Sequence, residues 1–279
     1  TRYGTVTGVQ TCALPIYPEI AFSTFIGSPA NSWGFTACDD SQGNLIAGAA
    51  VFAPAYPTTT GAFSTTFNAA SANYFDAAIT KFTADGTQLL YSTYLGGELQ
   101  ETPHSVVADS QDRMIVFGVT GSTSFPTTAG AFQPAFIGGP TLSMSGFFSG
   151  QHPHGTDLFI TKFNADGSLL SSTFVGGTDN DGLNNADQLF YNYGDAFRGE
   201  VNVDAADNVY VASVTRSADF PVTTGTFGGG DYDGVLLKLS PDLANMLQGR
   251  FVGGSGRDAC YAVEFNPSGQ AIIAGGTQS

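Results

Sequence analysis

Apolar residues along this chain come in short runs, rich in Val, Ile, Phe and Thr and divided by Gly, Pro, Asn and Asp, and no long stretch carries helical periodicity. SVVAD (105–109) precedes a tight turn and RMIVFGVT (113–120) follows it. A Phe-Pro-Thr-Thr-x-Gly connection, a strand such as DAAITKF (76–82), a second turn and a strand such as LLYSTYLGG (89–97) complete the pattern. Each such unit predicts four strands, and the whole pattern predicts an all-β body.

The pattern recurs. DAAITKFTADGTQLLYSTYLGG (76–97) returns as DLFITKFNADGSLLSSTFVGG (157–177) and as DGVLLKLSPDLANMLQGRFVGG (233–254), with a remnant, STFIGS, at 23–28. The other half repeats without gaps at 40–63, 109–132 and 204–227, and NPSGQAIIAGGTQS (266–279) begins a further copy. The chain has three lysines, Lys81, Lys162 and Lys238, each five residues after the Asp that opens its repeat. That spacing predicts a structural role, the stem laid along a packed strand and the ammonium at an edge or against a carboxylate. The first turn carries Gly43, Asp112, Asp207 or Gly269 at one position, all residues that tolerate positive φ, so one backbone geometry is expected in all copies. Asp85-Gly86 and Asp166-Gly167 mark the second turn as a hairpin, from which Asp242-Leu243 departs. Tyr56-Pro57, Phe125-Pro126 and Phe220-Pro221 are expected to plug the seam between units.

A four-stranded sheet apolar on both faces must stack on copies of itself. Radial stacking gives a β-propeller, whereas a linear solenoid would need shorter and more regular rungs. The expected architecture is a β-propeller fragment of four-stranded antiparallel blades forming an open arc, with about three whole blades and two partial ones. Residues 17–28 end a preceding blade, 29–97 form a blade, 98–177 a blade with a long loop at 133–156, 178–254 a blade with a long loop at 178–203, and 255–279 start a further blade.

Composition narrows the partners. The formal charge of −15, with Lys and Arg scarce, excludes a basic footprint for nucleic acid. The longest apolar run, near 45–56, is too short and too interrupted to span a bilayer, so no transmembrane segment is expected. VTGVQTCALPI (6–16) matches, codon by codon, the in-frame translation of a common sequencing adapter. Residues 1–16 are therefore read as a non-native segment, with native sequence starting near Tyr17. Setting Cys12 aside leaves Cys38 and Cys260 at different repeat positions, more consistent with small buried apolar side chains than with a bridge.

The pieces D-A-x-x-x-K-F, D-G, S-T-Y-L-G-G, D-S-x-G-N and F-P-T-T-x-G-A-F, taken as a series over about 21–279, resemble the bacterial SBBP β-propeller repeat, and the first turn is similar to that of NHL propellers. The resemblance implies a propeller of a large secreted or surface-attached bacterial protein. It brings no catalytic residues.

Function is expected on the variable connections. Between Phe132 and Asp157 lie 24 residues, against 12 and 5 in the other copies, and between Gly177 and Asp204 lie 26, against 11 elsewhere. In a propeller both connections emerge on one face. The first carries Phe136, Phe147, Phe148, His152 and His154; the second carries Asp179, Asp181, Asp187, Asp195, Phe190, Tyr191, Tyr193 and Phe197, with a short helix anticipated within 184–197. Aromatics beside carboxylates and amides suit a polysaccharide or protein partner, or else pack the loops down. Asp179-x-Asp181-Gly182 faintly resembles the start of a calcium loop, without the later EF-hand ligands, and His152-x-His154 lacks a third zinc ligand nearby, so neither justifies a cofactor. His104 could serve acid-base chemistry or be structural, and no hydrolase, zincin or P-loop motif is present. The expected function is a non-catalytic scaffold or binding module of an exported or cell-surface protein, with the remaining blades of the same chain among its partners. The alternatives are a propeller-type polysaccharide hydrolase or lyase, using carboxylates such as Asp179 or Asp187, and a pure spacer.

Overall fold

Strand pairing follows chain order. In the computed structural model, which describes residues 20, 22–71, 73–144, 150–184, 189 and 195–279, β1 (Ser32–Asp39), β2 (Leu45–Val51), β3 (Asp76–Phe82) and β4 (Leu89–Leu95) form one antiparallel sheet in the order β1-β2-β3-β4. The adapter-like segment, 1–16, lies outside the described residues. A second sheet unites β5 (Glu101–Ala108) and β6 (Met114–Thr120) with two later strands. Before those come the short hairpin strands β7 (Leu142–Met144) and β8 (Gly150–His152); β9 (Asp157–Phe163) and β10 (Leu169–Val175) then complete the order β10-β9-β6-β5. The third sheet is β11 (Glu200–Val203), β12 (Val209–Thr215), β13 (Asp233–Leu239) and β14 (Met246–Val252), and the last pair is β15 (Asp258–Phe265) with β16 (Ala271–Thr277). The architecture is thus all-β, built from small antiparallel four-stranded sheets. Helix among the described residues is limited to a 3-10 turn at Asp195–Phe197, and no described helix is long and apolar enough to cross a membrane.

The sheets pack face to face in sequence. Along β6, Met114 and Val116 join Ile46, Ile79, Tyr91 and Leu95 of the first sheet, while Ile115, Phe117 and Val119 join Val209, Val211, Val235 and Leu237 of the third. Ala212 and Leu236 on the other side of the third sheet meet Cys260, Val263 and Ile273 of the last pair. Successive side chains point to opposite faces, so a strand buried on both sides reads as an unbroken apolar run rather than an alternation. Phe117, Phe159 and Phe163 are fully excluded from water, each worth about 1.5–3 kcal/mol of transfer free energy. Cys38 and Cys260 are free, and burial pushes both thiols up to about 12.

The repeated motifs have identifiable duties. Gly43, Asp112, Asp207 and Gly269 share a left-handed φ between 59° and 76°, the single turn geometry expected. Ser41 donates its N–H and hydroxyl to Asp112, both at 2.8 Å, and Ser110 donates the same groups to Asp207, so the turns of the first three sheets are tied in series. The Phe-Pro-Thr-Thr connection caps an edge. Thr59, Thr128 and Thr223 donate backbone N–H to the carbonyls of Ser92, Ser172 and Gly249 on the outermost strands and accept those residues' N–H through their hydroxyls. An outer strand whose polar groups are already paired cannot template another chain. Tyr56, Phe125 and Phe220 in the same connections are buried.

The second turn forms in every copy, including the departing one: Leu243 adopts φ 60° and its N–H bonds the Ser240 carbonyl at 2.9 Å, as Gly86 and Gly167 bond Thr83 and Asn164. Its side chain explains why. A Cβ on Gly167 would overlap the ring of Tyr91 from the preceding sheet. In the next copy the position equivalent to Tyr91 is Ser171, and Leu243 is buried in the core instead. A large residue on either side of the junction suffices. Replacing Gly167→Leu is expected to cost about 3 kcal/mol in chemical denaturation through overlap with Tyr91 and left-handed strain. Adding Tyr91→Ser should recover at least half of it, whereas additive losses would contradict the exchange.

Candidate functional site

Two arrangements of titratable side chains recur from sheet to sheet. At the first turn of each sheet an Asx oxygen accepts two backbone N–H groups: Asp40 from Gln42 and Asn44, Asp109 from Gln111 and Arg113, Asp204 from Ala206 and Asn208, and Asn266 from Ser268 and Gln270. The second oxygen of each aspartate meets the repeat lysine: Lys81 on Asp40 at 2.8 Å, Lys162 on Asp109 at 2.7 Å and Lys238 on Asp204 at 3.0 Å. Lys162 is fully buried and also donates to the Pro241 carbonyl of the next sheet. Burial would raise the carboxyl of Asp40, but the Lys81 bond and the turn N–H groups outweigh it and hold it at about 2.

The second arrangement sits where neighbouring sheets meet. The aspartate opening the third strand of one sheet faces an acidic residue of the next, Glu101 and Asp258 opening β5 and β15 and Asp181 bridged to Thr215 of β12, in the pairs Asp76 with Glu101, Asp157 with Asp181, and Asp233 with Asp258, and all six are buried. A Cβ on Gly96, Gly176 or Gly253 would overlap both carboxylates of its pair, and a Cβ on Gly97, Gly177 or Gly254 would press on the serine that hydrogen-bonds them. The Gly-Gly of each repeat is thus a requirement of close approach.

The donors are alike in each copy. Glu101 accepts from the hydroxyls of Thr120 and Ser122 and from the N–H of Gly97; Asp181 accepts from Thr215, Ser217 and Gly177; Asp258 accepts from Ser279 and Gly254. Asp76 takes the N–H groups of Asn68 and Ala69, and Asp157 those of Ile137 and Gly138 plus the amide of Gln133. Burial pushes Asp76 up to about 7 and Asp157 to about 6; burial and the neighbouring Asp76 push Glu101 to about 8; burial and Asp157 raise Asp181 far above the carboxylate range. The sequence signal, an acidic residue five after the first glycine of each Gly-Gly together with a Thr-x-Ser, went unread because its partners belong to different repeats.

The long connections are built around these pairs. Residues 133–138 wrap Asp157, Phe136 packs edge-on against Phe174 at 5.7 Å, and Leu142 and Met144 enter the core. The two connections touch: Asn180 donates to the Pro140 carbonyl at 3.1 Å, and Gly139 lies against the backbone of Asp179 and Asn180. His152 is buried and His154 exposed. Asp179 is half-buried, 3.6 Å from Arg216. Asp181, offered as a calcium ligand, belongs to the buried pair. Phe147, Phe148, Asp187, Phe190, Tyr191 and Tyr193 lie outside the described residues, and the anticipated helix is represented by the 3-10 turn at Asp195–Phe197, with Phe197 buried. Among the described residues no group of three or more His, Cys, Asp or Glu side chains is placed to hold a metal. His104 packs edge-on against Phe117 and Phe197, and burial pulls it and His152 down to about 3, so both rings are neutral.

No family model and no curated protein matches the sequence. Among solved structures the chain is similar to a crystal structure of a protein of unknown function from Dyadobacter fermentans DSM 18053, with 10% identity and a TM-score of 0.47 over 92% of this chain and 59% of that one.

The turn pairs generate a contrast. Replacing Asp109→Asn leaves the buried Lys162 without its carboxylate and is expected to cost about 3–5 kcal/mol. The same change at Asp204, whose lysine is partly exposed, should cost about 1 kcal/mol or less. Equal losses in urea unfolding at pH 7 would contradict the assignment.

Proposed function

We propose that the chain is a non-catalytic β-propeller repeat module of an exported or cell-surface bacterial protein, a rigid scaffold that carries its long connections to a polysaccharide or protein partner. What carries the reading is repetition: the same turn, edge cap and junction recur on successive meander sheets, and the principal departure among the described residues is the connection 133–156 with the segment 178–184 beside it. Blade-like stacking fits the packing of β1, β5, β11 and β15, the first strands of successive sheets, along one side. Export and surface attachment rest on the resemblance to the SBBP repeat.

The titratable groups support a non-catalytic role. The carboxylate pairs are enclosed and the lysines are bound to turn aspartates, so these groups serve the scaffold. Contact with a partner falls instead to exposed side chains of the hairpin connection, Ile137, Gln151 and His154. Binding of the chain to arrayed bacterial polysaccharides and surface proteins tests this. Replacing Ile137→Ser, Gln151→Ala and His154→Ala together should weaken the binding at least about tenfold, as lost anchor contacts do, with the melting temperature unchanged. Binding untouched by the triple change, or polysaccharide turnover above background, would overturn the reading.

A further inference from the structure

Three times among the described residues two carboxyl groups from successive sheets are brought to the same glycine with no Lys or Arg side chain paired to them. Around Asp76 and Glu101 stand the N–H groups of Asn68, Ala69 and Gly97, the hydroxyls of Thr120 and Ser122, and the phenol of Tyr94, whose titration feels Asp76; Glu98 on the adjoining segment is engaged with Thr123 and Ser124. Around Asp157 and Asp181 stand Gln133, the N–H groups of Ile137, Gly138 and Gly177, and the hydroxyls of Thr215 and Ser217. Of the charged side chains on the neighbouring segments there, Arg216 faces Asp179, and Asp219 accepts from the Thr178 N–H. Beside the third pair, Arg257 is bound to Asp231. Two ionised carboxylates so placed, buried and with no cationic side chain against them, repel strongly, which favours the neutral form of one in each pair.

The third pair shows where the proton goes. Oδ1 of Asp233 is buried, in a residue 0% exposed, and has no hydrogen-bond partner. It faces Oδ2 of Asp258 across the space over Gly253. A proton on that oxygen gives it a bond to make, toward the carboxylate of Asp258. The assignment to Asp233 follows from its surroundings: burial and the neighbouring Asp258 raise it, whereas at Asp258 the bonds from Thr277, Ser279 and Gly254 outweigh burial.

We propose that each sheet junction is closed by a proton shared between its two carboxyl groups, making the stack a set of proton-linked joints that hold in mildly acidic solution and loosen as the pH rises. The sign follows from linkage. A carboxyl group raised in the folded state binds a proton that the unfolded chain, with ordinary carboxylates, releases. Its stabilisation is complete at pH values below the ordinary carboxylate range and is lost as the pH rises through the folded value, about 6 to 8 for Asp157, Asp76 and Glu101.

The test is urea unfolding of the full chain from pH 6.5 to 8, where the loss of protons from unfolded histidine works against the expected trend and unfolded cysteine only begins to ionise at the upper end. The unfolding constant is expected to rise at least about tenfold across it. Glu101→Gln and Asp181→Asn each replace one of the two carboxyl groups sharing a proton with an amide that donates and cannot ionise, so each should lessen the dependence by the share of its own pair. A flat profile for the parent chain, or variants as steep as the parent, would overturn the proposal, as would stability at pH 8 restored by calcium ions, which would make the pairs cation sites. Should either variant fail to fold, infrared spectroscopy of the parent at pH 7.5 decides: the carbonyl stretch of a protonated carboxylic acid is expected in the folded protein and absent after unfolding. No such band in the folded protein would equally overturn it.

Discussion

The rest of the structure follows from burial of the sheets on both faces. Met114 and Val116 look one way from β6, Ile115 and Phe117 the other, and neither side can be left in water at a transfer cost of roughly 25 cal/mol per Å². Each sheet therefore completes its neighbour's core. Stacking also fixes where polar groups must be satisfied. The end of one sheet and the start of the next share a junction from which water is excluded, and acidic residues placed there depend on hydroxyls, backbone N–H groups and one another. Side-chain volume is conserved across the same junctions, as the exchange of Tyr91 and Gly167 for Ser171 and Leu243 illustrates.

Much of this was legible in the sequence because it is local. The turn at Gly43, Asp112, Asp207 and Gly269 is set by residues that tolerate left-handed φ, and the lysine spacing pointed to packed stems ending on carboxylates. What stayed hidden is non-local. Asp179 and Asp181 look alike in the sequence, yet Asp179 sits in a bend, half-buried beside Arg216, while Asp181 is bridged to Thr215 and enters the junction against Asp157. Phe136, read as a contact for a partner or as loop packing, lies against Phe174 because the connection 133–138 is folded down to supply N–H groups to Asp157. The hairpin at Leu243 ran against turn preference, and core burial of the leucine side chain compensates for the strain of its backbone.

The acidity of the chain gains a finer meaning. A formal charge of −15 counts every aspartate and glutamate as ionised. Six of them are buried in pairs, and one in each pair carries a proton under the proposal, so the folded chain is less negative near neutral pH than its composition suggests. The turn aspartates differ: Asp40, held at about 2, and Asp109, also lowered, keep their charge and their lysines, and their stabilisation is lost only as the pH falls from the ordinary carboxylate range toward the folded value. The two arrangements thus respond to pH in opposite directions, the turns weakening in strong acid and the junctions in mild alkali.

The central claim is that protons are held inside the junctions of the folded chain and released when the sheets separate. Counting the protons exchanged on unfolding at pH 7.5 tests it most directly, because histidines are essentially neutral, and ordinary carboxylates ionised, in both states at that pH. The account predicts a net release of at least about one proton per chain on unfolding; no exchange, or a net uptake, would contradict it.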